Sequence, residues 1–436
     1  MIHTLFNPTS YISTPYCRIT LNKRGANEYT KISFPLKYGI YSEIETSDAI
    51  LQFNLNHEIV RAKGKGRDWI QPSEWLKRSM GNDWIYYSTG GYTGVFEAIG
   101  EYYLPNLPYP TNSLIGGKPF NESAINKIIS SWQEIIYKSL DSIKADSIEL
   151  LVDKEKFINF LESALANNCA TLQKKADHLF DTSGGRITVM PPDARHVDYD
   201  IIPLIISDGC LYKCRFCRVK SDKPFAVRSD REISRQIEKL KDIYDRDIVN
   251  YNSIFLGDHD ALNSDKETII SAAKAAYSSF EFEKSYIKGC NLFMFGSVDS
   301  LMSCDFELFK ALNSLPYKTY INVGLESADQ ETLDLIGKPL TSLRVEEAFM
   351  EIQRLNELLN NIEITANFIM DENLPKGHYP SFLGLVREKI NKPKTKGTVY
   401  LSPLRINKPS REVLFEFNRL KILSRVPTFL YIIQRL

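Results

Sequence analysis

The chain has no charge excess and no long apolar run. Lys plus Arg and Asp plus Glu number 54 each in 436 residues. That balance argues against a protein built around bulk polyanion binding, although local patches stay open. The longest apolar stretches, such as "VPTFLYII" near the C-terminus, fall far short of the ~20 residues that cross a bilayer. The opening "MIHTLFNPTSYIS" lacks a basic segment followed by an apolar one, so no signal peptide is predicted and a cytoplasmic location is expected. Low-complexity tracts and solenoid repeats are also missing. Cysteine is scarce and odd in number, seven in all, which fits reduced thiols better than a disulfide framework. The length suggests two or three domains at roughly 100–200 residues each.

What the chain does have is regular alternation after residue 190. The Pro-rich stretch "TVMPPDARHVDYD" reads as a connection. Short β-branched or aromatic runs follow at 200–206, 253–256, 291–296, 319–324, 362–369 and 398–404. Helix-period segments lie between them. "SDREISRQIEKLKDIY" opens with a capping box, Ser229 with Glu232, and puts Ile233, Ile237, Leu240 and Tyr244 on one face. "SDKETIISAAKAAY" offers a second box, Ser264 with Glu267. Further helices are predicted at about 303–314, 328–337, 341–360 and 380–390. Six such βα units predict parallel pairing in a partial barrel or an open wound sheet. Residues 1–190 predict a separate α/β domain, 191–405 the barrel, and 406–436 a C-terminal helical extension.

Three cysteines crowd into "CLYKCRFC", where Cys210, Cys214 and Cys217 have C-x3-C-x2-C spacing straight after the first strand. In an α/β sheet that is the C-terminal edge, where sites are built. A structural zinc site needs four closed ligands. No fourth cysteine is near, so His196 or His259 would have to complete a zinc-binding, non-catalytic module. Three thiolates instead suit a [4Fe–4S] cluster with one open iron.

With Phe216 just before the last cysteine, this motif resembles the radical S-adenosylmethionine (radical SAM) superfamily over roughly residues 200–404. The resemblance implies a partial (β/α)6 barrel. It also implies reductive cleavage of S-adenosylmethionine at a [4Fe–4S] cluster, under anaerobic conditions, to a 5′-deoxyadenosyl radical that abstracts hydrogen from a substrate. Electrons would come from a donor such as ferredoxin or flavodoxin. "FLGDHDAL" stands where the family places a Gly-rich or acidic turn; Gly257 would let the backbone approach, and Asp258 or Asp260 would accept from the ligand's ammonium. The family form is Gly-Gly-Glu, so which carboxylate acts is open. "NVGLESADQETLDLIGKPLT" is similar to the branch with the Elongator catalytic subunit, the methylthiotransferases and oxygen-independent coproporphyrinogen dehydrogenase. There Glu326 and Ser327 would face the ligand's ribose or methionine part, and Lys338 fits the family's I-G-K phrase. Gly296 and Ser297 would give backbone and hydroxyl contacts, with Ser297 as a helix cap the alternative.

The substrate stays open among tRNA, a peptide and a small metabolite. The basic turn "RAKGKGR" at 61–67 could grip phosphates or form a solvated hairpin. No D-x-H-x-x-G phrase is present, so a cobalamin module is not indicated. The N-terminal domain is expected to close over the barrel mouth, because radical chemistry needs water excluded.

Overall fold

The computed structural model of the chain describes residues 7–28, 38–65, 84–88, 123–145, 154–185, 190–197, 201–217, 223–257, 259–404 and 411–434. Near the N-terminus five strands pair antiparallel in chain order: β1 (Ser10–Ser13), β2 (Arg18–Arg24), β3 (Ile40–Glu45), β4 (Ala49–Phe53) and β5 (Ile59–Gly64). Alternation puts Ile19, Ile44, Leu51 and Phe53 on one face. They pack against Trp132 and Ile136 of helix Ser123–Ala145 and Phe157 and Phe160 of helix Lys154–Ala166. The segment "KEKFINFLESALANNCATLQKKADHLF" reads as a single helix but forms two, Lys154–Ala166 and Cys169–Ser183. Asn168 causes the break. Its backbone is extended and its side chain accepts from Thr171 N at 3.0 Å, capping the second helix.

A second sheet is entirely parallel. It draws on β6 (Trp84–Ser88) and β7 (Ile202–Pro203), while β8 (Ser207–Asp208) and β9 (Ala226–Val227) form a small separate ladder. The remaining strands are β10 (Ser253–Phe255), β11 (Asn291–Gly296), β12 (Lys318–Glu326), β13 (Ile362–Met370), β14 (Val399–Pro403) and β15 (Thr428–Gln434). Their order is β7-β10-β11-β12-β13-β14-β15-β6. The six strands expected of a partial barrel are present, and two more extend them. The tail expected to be only helical has its helix, Arg411–Leu423, and then adds β15 beside β14. The run "TFLYIIQ" is β-branched and aromatic, so it suits a sheet once Pro427 has ended the helical turn. β6 in turn pairs with β15, which joins residues 84–88 to the barrel sheet rather than to an N-terminal domain alone.

Strands β10 to β13 each have two buried faces. Ile254, Leu292, Met294, Ile321, Val323 and Ile364 pack under the helices. Phe255, Phe293, Tyr320, Tyr400 and Tyr431 form an aromatic layer on the other face, with Phe293 stacked on Tyr320 at 5.3 Å. The stretch expected to be a plain connection plugs this layer. Its 3₁₀ turn Pro192–His196 buries Asp193, which accepts from Tyr400 OH at 2.7 Å and Thr365 Oγ1 at 2.8 Å. Tyr431 OH donates to Met190 O at 2.9 Å.

The antiparallel sheet docks at the end of the barrel where the parallel strands begin. Asn250 bonds both Ile40 N (2.7 Å) and Ile40 O (2.9 Å). Asp247 accepts from Leu55 N at 3.1 Å, Asn56 Nδ2 donates to Tyr244 O at 2.8 Å, and Tyr286 OH donates to Gly25 O at 2.9 Å. These barrel residues all precede β10 or β11, whereas the cysteine loop follows β7 at the opposite edge. The described N-terminal sheet thus lies at the edge opposite the cysteine loop. The polar tip of its β4–β5 hairpin finds partners in the turns below the strands. Among the described residues no helix is long and apolar enough to cross a membrane.

Candidate active site

Cys210, Cys214 and Cys217 sit in a loop whose neck is clasped. β8 pairs with β9, and Arg228 forks onto Asp208 at 2.9 and 3.0 Å while also donating to Ser183 O at 3.0 Å. The Arg228 fork holds the Asp208 carboxyl below its ordinary value. Two further anchors fix the loop body. Tyr212 OH donates to Asp299 Oδ2 at 2.7 Å and accepts from Asp299 N at 3.1 Å. Arg215 Nη2 donates to Asp334 O at 2.7 Å.

The Cys214 thiol is buried, and those of Cys210 and Cys217 are half-buried. Burial raises the Cys210 thiol and pushes Cys214 up to about 11, while the Lys338 ammonium pulls both down. Cys214 also feels Cys217 and Cys210, which places the three thiols within electrostatic reach of one another. Metal ligation therefore has to displace protons from these thiols. Among the described residues no three His, Cys, Asp or Glu side chains converge tightly enough to hold a single metal ion.

The β10 exit lies alongside. Gly257 has φ +148°, and a Cβ there would meet Ala261 Cβ at 3.0 Å, so glycine lets the turn close. Asp258 falls outside the described residues. Asp260 is buried; its Oδ1 accepts from Ser297 N and Ser300 Oγ, both at 2.8 Å. Its Oδ2 is buried with no partner among the described residues. Burial raises the Asp260 carboxyl, against the bonds from Ser300 and Ser297. Gly296 ends β11 against Leu262. Ser297 caps helix Val298–Ser303, accepting from Ser300 N at 3.1 Å. Residues that the sequence offered as separate contacts are thus one knot tied by Asp260. Ser300, its third member, was not singled out; the S-x-x-S capping pattern was the available signal.

Glu326 ends β12 with φ +66°, at a bulge against β13. A non-glycine residue held there costs on the order of 1–3 kcal/mol, and such strain concentrates at functional sites. Burial raises the Glu326 carboxyl, opposed by Lys338, whose Nζ is 3.6 Å away. Lys338 Nζ also donates to Gly324 O at 2.7 Å and lies 5.3 Å from the centre of the Tyr212 ring. The Ser327 hydroxyl is engaged elsewhere. It pairs with His378 Nδ1 at 2.8 Å, and His378 Nε2 meets Ile369 O at 2.9 Å. Since a carbonyl only accepts, Nε2 carries the proton and Ser327 donates to Nδ1. Burial lowers the His378 pKa, which keeps that tautomer neutral. No spacing pattern in the sequence marks His378 or Tyr212.

Residues 204–367 match the family model described as the Radical SAM superfamily. These residues are similar to a radical SAM domain. Domains of that superfamily occur in enzymes that use S-adenosylmethionine with an iron–sulfur cluster. No curated protein matches it. Solved structures that it resembles include a radical SAM methyltransferase from Sphaerobacter thermophilus, at 14% identity, TM-score 0.35, covering 52% of this chain and 65% of that one. Another is the cobalamin-dependent S-adenosylmethionine radical enzyme OxsB with aqua-cobalamin bound, at 16% identity, TM-score 0.34, covering 54% and 33%. In both cases the chain spans less than two thirds of the other protein. The matched segment contributes the cysteine loop, Asp260 and Glu326, while β14, β15 and β6 continue its sheet outside the matched residues.

Proposed function

We propose that Cys210, Cys214 and Cys217 hold a [4Fe–4S] cluster and that the chain cleaves S-adenosylmethionine to start radical chemistry on a substrate. The observation that carries this reading is the three-cysteine loop, clasped at its neck, at the C-terminal edge of the parallel sheet inside the matched segment. Bound there, the cluster would supply one electron that breaks the sulfonium carbon–sulfur bond, giving methionine and a 5′-deoxyadenosyl radical.

The chain's own residues support the fit. A tetrahedral zinc ion needs ligands about 2.0–2.3 Å from one point, and the described residues bring no three together so tightly. A multi-iron cluster takes each thiolate on a different iron and so asks for a wider set. The unpartnered Asp260 Oδ2 suits a ligand ammonium, a charge-assisted bond in a dry place. Glu326, strained and beside Lys338, is the second carboxyl at the rim. Gly257, Gly296 and Ser297 act by shaping the turns that bring Asp260 to this edge, with Ser327 doing the same for β12; Asp258 completes the proposed set.

A reducing donor of the ferredoxin or flavodoxin kind and a cytoplasmic, anaerobic setting belong to the same reading. The substrate stays open among a tRNA, a peptide and a small metabolite. Of the basic turn at 61–67, Lys65 is engaged by Glu45 at 2.8 Å and Thr46 O at 2.7 Å. The test is anaerobic reconstitution with iron, sulfide, dithionite and S-adenosylmethionine. The expected product is 5′-deoxyadenosine, lost in Cys214→Ala. Zinc without sulfide, or product formation that survives Cys214→Ala, would overturn the reading.

A further inference from the structure

Lys338 joins the two halves of the site. Only 7% of it is exposed, yet it is a cation on a short connection after helix Gln330–Ile336. Burying an ammonium is unfavourable unless it is paired and hydrogen-bonded, so what pairs it is informative. Its Nζ is fixed by Gly324 O at 2.7 Å and lies 3.6 Å from Glu326 Oε1. A Cβ at Gly324 would run into Glu326 Oε1 and stand 3.3 Å from Lys338 Nζ, so this strand end is shaped around the pair. On its other side the ammonium stands 5.3 Å from the centre of the Tyr212 ring, inside the cysteine loop between Cys210 and Cys214. Tyr212 is held from beyond by Asp299 at 2.7 Å. The ring is therefore gripped by a cation from the β12 side and by a carboxylate from the β11 side.

We propose that Lys338 is a positioning and potential-setting residue: it ties the cysteine loop to the end of β12, and its fixed positive charge raises the reduction potential of the cluster. The inference rests on the cluster assignment above. Reduction adds an electron to a site already carrying three thiolates, with Glu326 and Asp260 close by. A buried cation beside them favours the more negative state, and net charge and burial are recognised levers on such potentials. The same Lys338 charge reaches Cys210, Cys214 and Asp260. No proton transfer by Lys338 is involved; the effect is that of a fixed charge.

The experiment is a redox titration followed by electron paramagnetic resonance on anaerobically reconstituted full-length protein, comparing wild type, Lys338→Met and Lys338→Arg. The expected result for Lys338→Met is a cluster roughly tenfold harder to reduce, about 59 mV lower for one electron. Lys338→Arg keeps the charge and should stay near wild type. An unchanged potential in Lys338→Met, or an equal drop in both variants, overturns the inference while leaving the cluster assignment standing. If wild type itself takes up no iron–sulfur cluster, it is the assignment that fails. Should Lys338→Met alone not assemble, limited trypsin digestion of the metal-free proteins decides. The tie predicts cleavage after Lys213 and Arg215 roughly tenfold faster in Lys338→Met, as a loop opening freed by about 1.4 kcal/mol would give; equal rates overturn it.

Discussion

The two ends of the parallel sheet differ in how far their polar side chains are matched. Toward the end where the strands begin, most polar groups meet partners: Asp193 takes Tyr400 and Thr365, Tyr431 takes Met190 O, and Asn250 takes both backbone groups of Ile40, although Thr319 Oγ1 is buried with none among the described residues. At the end where they finish, Glu326 is strained, Gly257 is in a glycine-only conformation and Asp260 keeps a buried oxygen unmatched. Unmet polar groups and strain are tolerable only where the rest of the fold over-determines them. The plugged end supplies that surplus, and the open end uses it to hold groups ready for a ligand.

The contrast can be broken by substitution, and the largest effect should come from the open end. Cys214→Ala should reduce iron–sulfur content and 5′-deoxyadenosine formation to background. The melting curve of the metal-free protein should hardly move, because little buried area is lost. Asp193→Ala should do the reverse. Tyr400 and Thr365 would be left with buried donors unpaired, costing about 2–4 kcal/mol in urea unfolding, while the surviving folded protein still binds S-adenosylmethionine. If Asp193→Ala were neutral in stability, the plug would not be the structural anchor described.

Asp260→Asn sharpens the comparison with a smaller effect. Loss of one charge-assisted bond should weaken S-adenosylmethionine binding roughly tenfold by calorimetry, with little change in stability. Acidity adds a signature. The ionised carboxylate is needed to accept from an ammonium, and burial raises the Asp260 carboxyl. Affinity should therefore fall, on acidification, at a higher pH than an exposed aspartate would give, and the asparagine variant should lack that step. In the ligand-free protein the sign is opposite. A carboxyl raised by folding favours the fold at low pH and gives up that contribution as pH rises through its folded value. The smallest effect belongs to Asn250→Ala, about 1 kcal/mol of stability for two part-buried backbone bonds, with 5′-deoxyadenosine formation unchanged.

The barrel was legible where its signals are local. The run at 291–296 is β11 to the residue, and the box of Ser229 and Glu232 caps helix Asp230–Tyr244 as read. The second box slips by one position, since Asp265 rather than Ser264 accepts from Thr268 N at 2.8 Å; a carboxylate makes the stronger cap. Local signals could not show pairing between distant segments. "TFLYIIQ" carries strand propensity but no alternation, because both its faces are covered. Nothing in "WIYYS" says that its neighbour lies more than three hundred residues away. At the site, cysteine spacing and the glycine turn were readable chemistry. The roles of Lys338, Tyr212 and His378 come from three-dimensional convergence, which spacing along the chain does not encode.

The pairing of residues 84–88 with 428–434 has a consequence for how the protein is made. The outermost strand of the barrel sheet leaves the ribosome long before residues 428–434 and must wait for them before it has a neighbour. Closure over so long a stretch is slow, and until it happens the edge of β15 is open to stray strands. A nascent chain interrupted before residue 428 could carry every cysteine of the loop and still lack the margin of its sheet.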